Sequence, residues 1–305
     1  MAELFAAVDC GTNSVRLLVS RREDGGLVEL DRRLHLTRLG QGVDATGRFR
    51  PDALARTLDA MADFGAELDR LGVPAAHRRV VATSAARDAA NSDEFFSGAR
   101  LRLGVDAEVI PGEEEARLSF AGATSGLPGT AQPVLVMDIG GGSTELVLGS
   151  DGVPAHAVSL DVGAVRVRER FLPSDPPAPA EIGAARAHVD ELLDGSGIAF
   201  DRVATWVGVG GTATSLSALA LHLPAYDRAR VHGSVLAHRD LDSLTAELLA
   251  MPVAEVAALP TMVPGRADVI CAGALICAAV GDRVAADLVV SEADILDGIV
   301  LTLTA

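Results

Sequence analysis

The chain has 305 residues, of which 49% are hydrophobic and 22% are charged, a composition typical of a globular protein with room for two domains. Its formal net charge of −16 argues against a general nucleic-acid-binding surface, so an anionic ligand would have to be bound by local arginines. All 26 basic residues are arginine, which excludes a P-loop lysine, a Schiff-base lysine and a pyridoxal phosphate site.

The sequence also bears on compartment and metal content. No apolar run is long enough to span a bilayer, and the N-terminus lacks a basic leader, so we expect a cytoplasmic protein with no membrane or nucleic-acid partner. The three cysteines have no metal-site spacing, and Cys271 and Cys277 lie in an apolar segment, which predicts reduced core residues. The seven histidines are scattered, which disfavours a zinc site.

The first half of the chain reads as an alternation of strands and helices. Arg87 follows a predicted strand, which places it at the carboxyl edge of a sheet, where ligands commonly bind; an exposed helix arginine is the alternative. Glu113, Glu114 and Glu115 fall in a first helical turn, where acidic residues often serve only the helix dipole, although one of the three could face a cleft. The predicted strands are residues 4–8, 15–20, 27–37, 80–83 and 108–110, and helices begin at Pro51 and Pro111.

The central stretch, Val134–Gly149, predicts a strand, a glycine turn and a second strand. A turn without side chains at its tip allows backbone N–H groups to approach an anion closely. Asp138 and Glu145 flank this tip, and two carboxylates beside a phosphate most simply indicate a divalent metal ion. The sequence therefore predicts a phosphate and metal site at this turn.

The same pattern occurs once before, at Val8–Val19, and the two stretches align without a gap. Asp9 aligns with Asp138, whereas Arg16 takes the position of Glu145. Two copies of D-x-G-x-x-S-x-[RE]-L predict a duplicated lobe with one phosphate hairpin in each copy.

The second half continues with a strand at Ala157–Leu160 and a helix that carries Arg166 and Arg168. A proline-rich surface connection follows, and then a strand, Trp206–Gly208, that leads into a second glycine-rich turn. Backbone amides at the helix after that turn favour phosphate, although a tight turn without a ligand is the alternative. Further helices are predicted at residues 238–250, 264–280 and from 291 to the C-terminus, the last packing on the first lobe.

The motifs DCGTNSVR, TSAARDA, GEEEARLSF, DIGGGSTEL, SLDVGAVRVRERF, GVGGTAT, RADVI and SEADILDGI occur in this order. Together they resemble the Ppx/GppA family of exopolyphosphatases and guanosine pentaphosphate phosphohydrolases, in its short two-domain form. The resemblance implies an α/β fold of the actin-like (ASKHA) class, with two duplicated ribonuclease-H-like lobes and an interlobe cleft. The expected lobes are residues 1–123 with 292–305, and residues 124–291.

The resemblance also implies roles for individual residues. Glu115 matches the catalytic glutamate, and Arg87 matches a position on the phosphate path that we expect to assist catalysis. Asp9, Asp138 and Glu145 match the carboxylates associated with a metal ion, which we expect to be Mg²⁺ or Mn²⁺. The expected phosphate-binding residues are Gly11, Thr12, Asn13, Ser14, Arg16, Gly140, Gly141, Gly142, Ser143, Gly208, Gly210, Gly211 and Thr212.

The expected reaction is metal-assisted hydrolysis that releases orthophosphate from the end of inorganic polyphosphate. A 5′-phosphohydrolase of pppGpp is the alternative, and one Trp and one Tyr offer little for stacking a guanine base. A nucleotide-binding regulatory protein and a sugar or acyl kinase of the same fold remain as rivals. A homodimer is an open possibility for the assembly.

Overall fold

Each half of the chain builds one β-sheet with helices against it. The computed structural model describes residues 3–23, 26–263 and 265–304. The chain divides into a first unit, Met1–Leu118 with Ile295–Ala305, and a second unit, Ser119–Asp294. The boundaries therefore lie a few residues from those expected from the sequence, and the first of them falls within a helix rather than in the loop after residue 123.

The strands are β1 (Leu4–Cys10), β2 (Ser14–Glu23), β3 (Gly26–Leu36), β4 (Arg78–Ala82), β5 (Ala107–Val109), β6 (Val134–Ile139), β7 (Thr144–Ser150), β8 (Val153–Leu160), β9 (Thr205–Val209), β10 (Val235–Leu236) and β11 (Leu288–Val290).

The helices are α1 (Val43–Thr46), α2 (Pro51–Leu71), α3 (Ser84–Asp88), α4 (Ser92–Leu103), α5 (Gly112–Gly126), α6 (Ala164–Phe171), α7 (Pro179–Asp194), α8 (Gly210–Ala220), α9 (Arg228–Val231), α10 (His238–Ala250), α11 (Val253–Val256), α12 (Ile270–Gly281) and α13 (Ile295–Thr304).

The two sheets have the same topology, as the duplication in the sequence predicts. Among the described residues, the first sheet has the strand order β3-β2-β1-β4-β5, and the second has β8-β7-β6-β9-β11 with β10 added at its edge. In each sheet, three antiparallel strands precede two strands that run parallel to the first of the three, and in the second sheet β10 pairs antiparallel with β11. The predicted pair of lobes with one hairpin in each is therefore confirmed.

The central strand β1 of the first sheet is buried on both faces, because its side chains alternate between two clusters of apolar residues. Ala6 and Val8 pack with residues of α2 and α4, whereas Phe5 and Ala7 pack with residues of α13. Side chains two residues apart on a strand point to the same face. Asp9 therefore lies on the face that Phe5 and Ala7 share.

Close packing of α2 against α4 depends on Gly65. A Cβ atom at this position would lie 2.0 Å from the carbonyl oxygen of Arg102. We expect Gly65→Ala to destabilise the protein by about 1–3 kcal/mol, because the backbone of α4 would have to move. Gly183→Ala is the matched control, since Gly183 lies in α7 with no atom within 4 Å, and the change there should stabilise by roughly 0.5–1 kcal/mol.

Thermal or denaturant unfolding of the two variants measures this contrast. Equal effects of the two substitutions would show that α2 and α4 can separate without cost.

Some predicted elements begin elsewhere in the structure. Strand β8 begins four residues before the expected start, and α12 begins at Ile270 rather than at residue 264, which lies outside the described residues. Helix α7 was not predicted, because the proline-rich sequence before it was interpreted as a surface connection. Cys271 and Cys277 are buried and free in the core of the second unit, as expected. Within the described ranges, no helix combines the length and the apolar character needed to cross a membrane.

Candidate active site

The turn between β1 and β2 is held by the segment that follows β3. The Gly11 N–H donates to the Ser14 carbonyl at 2.9 Å and closes the turn. The Gly40 N–H donates to the Thr12 carbonyl at 2.8 Å, and the Asn13 carbonyl accepts two further N–H groups from the same segment. The carbonyl groups of Thr12 and Asn13 at this tip therefore accept hydrogen bonds from within the first unit.

The turn between β6 and β7 repeats this arrangement in the second unit. The Gly140 N–H donates to the Ser143 carbonyl at 3.0 Å, in the same position as the bond that closes the first turn. The carbonyls of Gly140 and Gly141 accept N–H groups from the first residues of α6, and Arg166 Nε donates to the Gly142 carbonyl at 2.8 Å. The segment after the third strand thus holds the tip in both lobes.

These bonds fix the direction of the N–H groups at the second tip. Its peptides are trans, so each N–H points away from the carbonyl of the same peptide. Because the carbonyls of Gly140, Gly141 and Gly142 are directed at α6, the N–H groups of Gly141, Gly142 and Ser143 point away from α6. Successive N–H groups that point in one direction are an arrangement that can bind an anion, so this backbone is compatible with the phosphate site that stays a prediction from the sequence.

A glycine after the third strand packs against each tip. A Cβ on Gly40 would lie 2.3 Å from Thr12 Cγ2, and a Cβ on Gly163 would lie 2.5 Å from the carbonyl carbon of Gly141. The Thr12 hydroxyl also shares a hydrogen bond of 2.8 Å with the Ser84 hydroxyl. The Thr12 side chain and carbonyl are therefore both hydrogen-bonded within the unit, and the predicted phosphate contact of Thr12 would be made by its N–H group.

The two hairpins differ in the charges that face each other beside the tip. Asp9 pairs with Arg16 across β1 and β2, and Arg16 donates to Asp9 Oδ2 from Nη2 at 2.6 Å and from Nε at 3.1 Å. In the second hairpin, the residue opposite Asp138 in the register of β6 and β7 is Glu145. Two carboxylates directly opposite each other repel, and a bound cation would relieve that repulsion.

Each carboxylate of the second pair accepts a serine hydroxyl. Ser119 Oγ donates to Asp138 Oδ2 at 3.1 Å, and Ser159 Oγ donates to Glu145 Oε1 at 2.7 Å. The carboxylate oxygens of Asp138 and Glu145 are ligands of the type that suits a hard divalent cation such as Mg²⁺. In the described part of the chain, no three His, Cys, Asp or Glu side chains cluster closely enough to hold a metal ion. A site of two carboxylates completed by substrate phosphates is the arrangement in which Mg²⁺ commonly binds.

The second glycine-rich turn joins β9 to α8 beside Asp138. Gly210 has φ of 75°, and a Cβ there would lie 2.6 Å from Asp138 Oδ1, so only glycine allows this approach. The Thr212 hydroxyl donates to the Ile139 carbonyl at 3.2 Å. Gly208 lies inside β9, where Ala213 and Leu288 fill the space that a side chain would need. The phosphate-binding role of Gly208 therefore stays a prediction. The close packing of Ala213 and Leu288 is a separate reason why this position is glycine.

The three successive glutamates at the start of α5 have different partners. Glu115 is buried, and its Oε2 accepts Arg87 Nη1 at 3.0 Å. Glu114 pairs with Arg79, and Glu113 pairs with an arginine one turn along the same helix. The structure brings together the two residues expected to act in catalysis and sets Glu115 apart from its neighbours.

Cys10 follows Asp9 at the end of β1 and is fully buried. Burial, and to a smaller extent the neighbouring carboxylate, raise the pKa of its thiol above the ordinary value. A protonated thiol is a packing residue, so we assign Cys10 no role in the chemistry.

Residues 18–301 match the model of the Ppx/GppA phosphatase family. The chain belongs to this family. Exopolyphosphatase 2 of Mycobacterium tuberculosis is 48% identical over 316 residues, with 98% of each chain covered. A family member from Aquifex aeolicus is 30% identical, with a TM-score of 0.84 and with 100% of this chain and 98% of that chain covered. An exopolyphosphatase from Cytophaga hutchinsonii is 26% identical, with a TM-score of 0.92 and with 99% and 97% covered.

Several residues around the predicted Ppx/GppA site were not assigned a role from the sequence. Arg266 is buried and donates from Nη1 to the Gly211 carbonyl at 3.0 Å, and its guanidinium occupies the space that a Gly211 side chain would need. The motif RADVI contains Arg266 and could have indicated it. Ser119 and Gly163 also lie in quoted motifs, but only the fold shows what they contact.

Proposed function

We propose that this protein is an exopolyphosphatase that releases orthophosphate from the end of inorganic polyphosphate. The observation that carries the proposal is the buried Glu115, bound to Arg87, in a chain that also forms two hairpin tips held by backbone hydrogen bonds. The names of its relatives from Mycobacterium tuberculosis and Cytophaga hutchinsonii support the same substrate.

In the proposed reaction, the oxygen of a water molecule attacks the terminal phosphorus and the bond to the bridging oxygen breaks. Glu115 accepts the proton of that water, and the shortened chain leaves with its oxygen negatively charged. Arg87 orients the Glu115 carboxylate through the contact to Oε2 and stabilises charge that develops on the phosphoryl group. The N–H groups of Gly141, Gly142 and Ser143 bind phosphate oxygens.

We propose that Asp138 and Glu145 hold a Mg²⁺ or Mn²⁺ ion, and Asp9 stays a predicted contributor. Bound there, such an ion would supply positive charge that offsets the charge on phosphoryl oxygens, which is a large part of catalysis in phosphoryl transfer. Asp9 is held in an ion pair by Arg16, so its carboxylate is oriented within the first unit. The proposal also includes a cytoplasmic location, which cell fractionation would test.

The substrate can be tested by measuring orthophosphate release from short, medium and long polyphosphates, pppGpp and ATP in the presence of Mg²⁺. We expect polyphosphate to give the highest kcat/KM, with products that shorten from the end. The Glu115→Gln variant, assayed in parallel, ties any activity to this site. Faster release from pppGpp would replace polyphosphate by the alternative substrate, and tight pppGpp binding without release would indicate a regulatory protein.

A further inference from the structure

We propose that Ser119 and Ser159 are positioning residues, each of which orients one carboxylate of the pair Asp138 and Glu145 for a divalent cation. This inference rests on the metal role assigned to that pair in the proposed function. The two hydroxyls would act through the carboxylates, and neither would contact the substrate. Nothing in the sequence motifs alone assigns them this part.

The contacts come from two elements that lie against the hairpin β6–β7. Ser119 is in α5 and Ser159 is in β8, and each donates to a different carboxylate, at 3.1 Å and 2.7 Å. Ser119 has 1% of its surface exposed, Asp138 has 9% and Glu145 has 2%. A buried carboxylate costs free energy unless its oxygens are hydrogen-bonded, so each hydroxyl stabilises a charge that water cannot reach fully.

The duplicated sheet provides an internal comparison for Ser159. In the second sheet, Asp138, Glu145 and Ser159 are register neighbours across β6, β7 and β8. In the first sheet, the corresponding row across β1, β2 and β3 is Asp9, Arg16 and Leu34. In the first sheet, the residue on β3 opposite Arg16 is the apolar Leu34. In the second sheet, the residue on β8 opposite Glu145 is Ser159, a hydroxyl donor. The Ser159 hydroxyl is therefore found in the lobe that has a carboxylate, Glu145, at the position of Arg16.

A neutral donor suits a metal ligand better than a cation does. Arg16 orients Asp9 and also brings a positive charge to it, whereas a serine hydroxyl orients a carboxylate without adding a charge of its own. An ionised carboxylate has about four acceptor positions, so a hydroxyl at one of them is compatible with a metal ion at another. Hydrogen bonds of this kind to a metal ligand typically change metal affinity by about 10–100-fold when they are removed.

The experiment uses Ser119→Ala and Ser159→Ala, with Ser119→Thr and Ser159→Thr as variants that keep the hydroxyl. Ser217→Ala is the control, because Ser217 is a buried serine of the same unit whose hydroxyl shares a hydrogen bond of 2.7 Å with the Ser234 hydroxyl and has no carboxylate partner among the described residues. Mn²⁺ is titrated into the full-length, substrate-free protein and followed by electron paramagnetic resonance. Thermal unfolding in EDTA checks that every variant is folded.

We expect each alanine variant to bind Mn²⁺ about tenfold or more weakly, and the threonine variants to recover part of the loss. The Mg²⁺ concentration for half-maximal activity should rise in parallel, while kcat at saturating Mg²⁺ changes less. If the wild type binds Mn²⁺ and the alanine variants bind it equally well, the positioning role is wrong and the metal site stands. If the wild type itself binds no Mn²⁺, the metal part of the proposed function falls first.

Discussion

Glu115→Gln is expected to abolish turnover and to leave polyphosphate affinity within a few-fold of the wild type. An amide cannot accept the proton of the attacking water, and loss of a general base typically lowers the rate by roughly 10²–10⁴. The amide oxygen can still accept Arg87 Nη1, so the contact that orders the start of α5 is retained. Steady-state kinetics with Mg²⁺, together with direct binding of polyphosphate, separates the effect on rate from the effect on affinity.

Glu113→Gln and Glu114→Gln are the matched controls. Their side chains are 69% and 39% exposed, against 11% for Glu115, and each pairs with an arginine that has no proposed catalytic role. Both variants should keep near-normal kcat. A large decrease of kcat in Glu114→Gln, with little decrease in Glu115→Gln, would show that Glu114 and not Glu115 is the catalytic glutamate.

Arg16→Ala is expected to destabilise the protein strongly, because it leaves the Asp9 carboxylate in a buried position without the guanidinium that binds it. The Asp9 side chain is 5% exposed and that of Arg16 is 15% exposed. Removal of one partner from a buried ion pair typically costs about 3–5 kcal/mol. Denaturant unfolding in EDTA measures the loss without a contribution from bound metal.

Two further variants show whether the buried charge is the cause. The double variant Asp9→Asn with Arg16→Ala should recover part of the stability, since the buried negative charge is then gone. Arg239→Ala removes an arginine that is 87% exposed and pairs with Asp240, and it should cost about 0–1 kcal/mol. If Arg16→Ala lowered the free energy of unfolding as little as Arg239→Ala does, Arg16 would not be needed to stabilise the buried charge of Asp9.

The hairpins were predictable because the information for them is local. A tip whose backbone approaches an anion needs glycine or small residues, and the spacing from Asp9 to Arg16 and from Asp138 to Glu145 places each pair opposite each other on adjacent strands. The alignment of the two stretches therefore predicts a duplicated lobe with one hairpin in each copy, and the two sheets share their strand order.

The supports of the tips were not predictable from a single sequence. Gly40 and Gly163 pack on the tips from segments after the third strand, and Ser159 meets Glu145 through strand pairing. These contacts depend on how distant segments fold together, which local spacing does not contain. Helix α7 was missed for a different reason: Pro179 is a favourable first residue of a helix, but the prolines before it suggested a loop.

Helix α13 has a consequence for the order in which the protein is made. Its side chains Ile295 and Ile299 complete a core with Phe5 and Leu18, so the unit made from the first residues also needs the last ones. The second unit is contiguous, Ser119–Asp294, and all of it has been synthesised before α13. Domains usually fold during synthesis from the N-terminus onward. In this chain the lobe that leaves the ribosome first is the last to be completed.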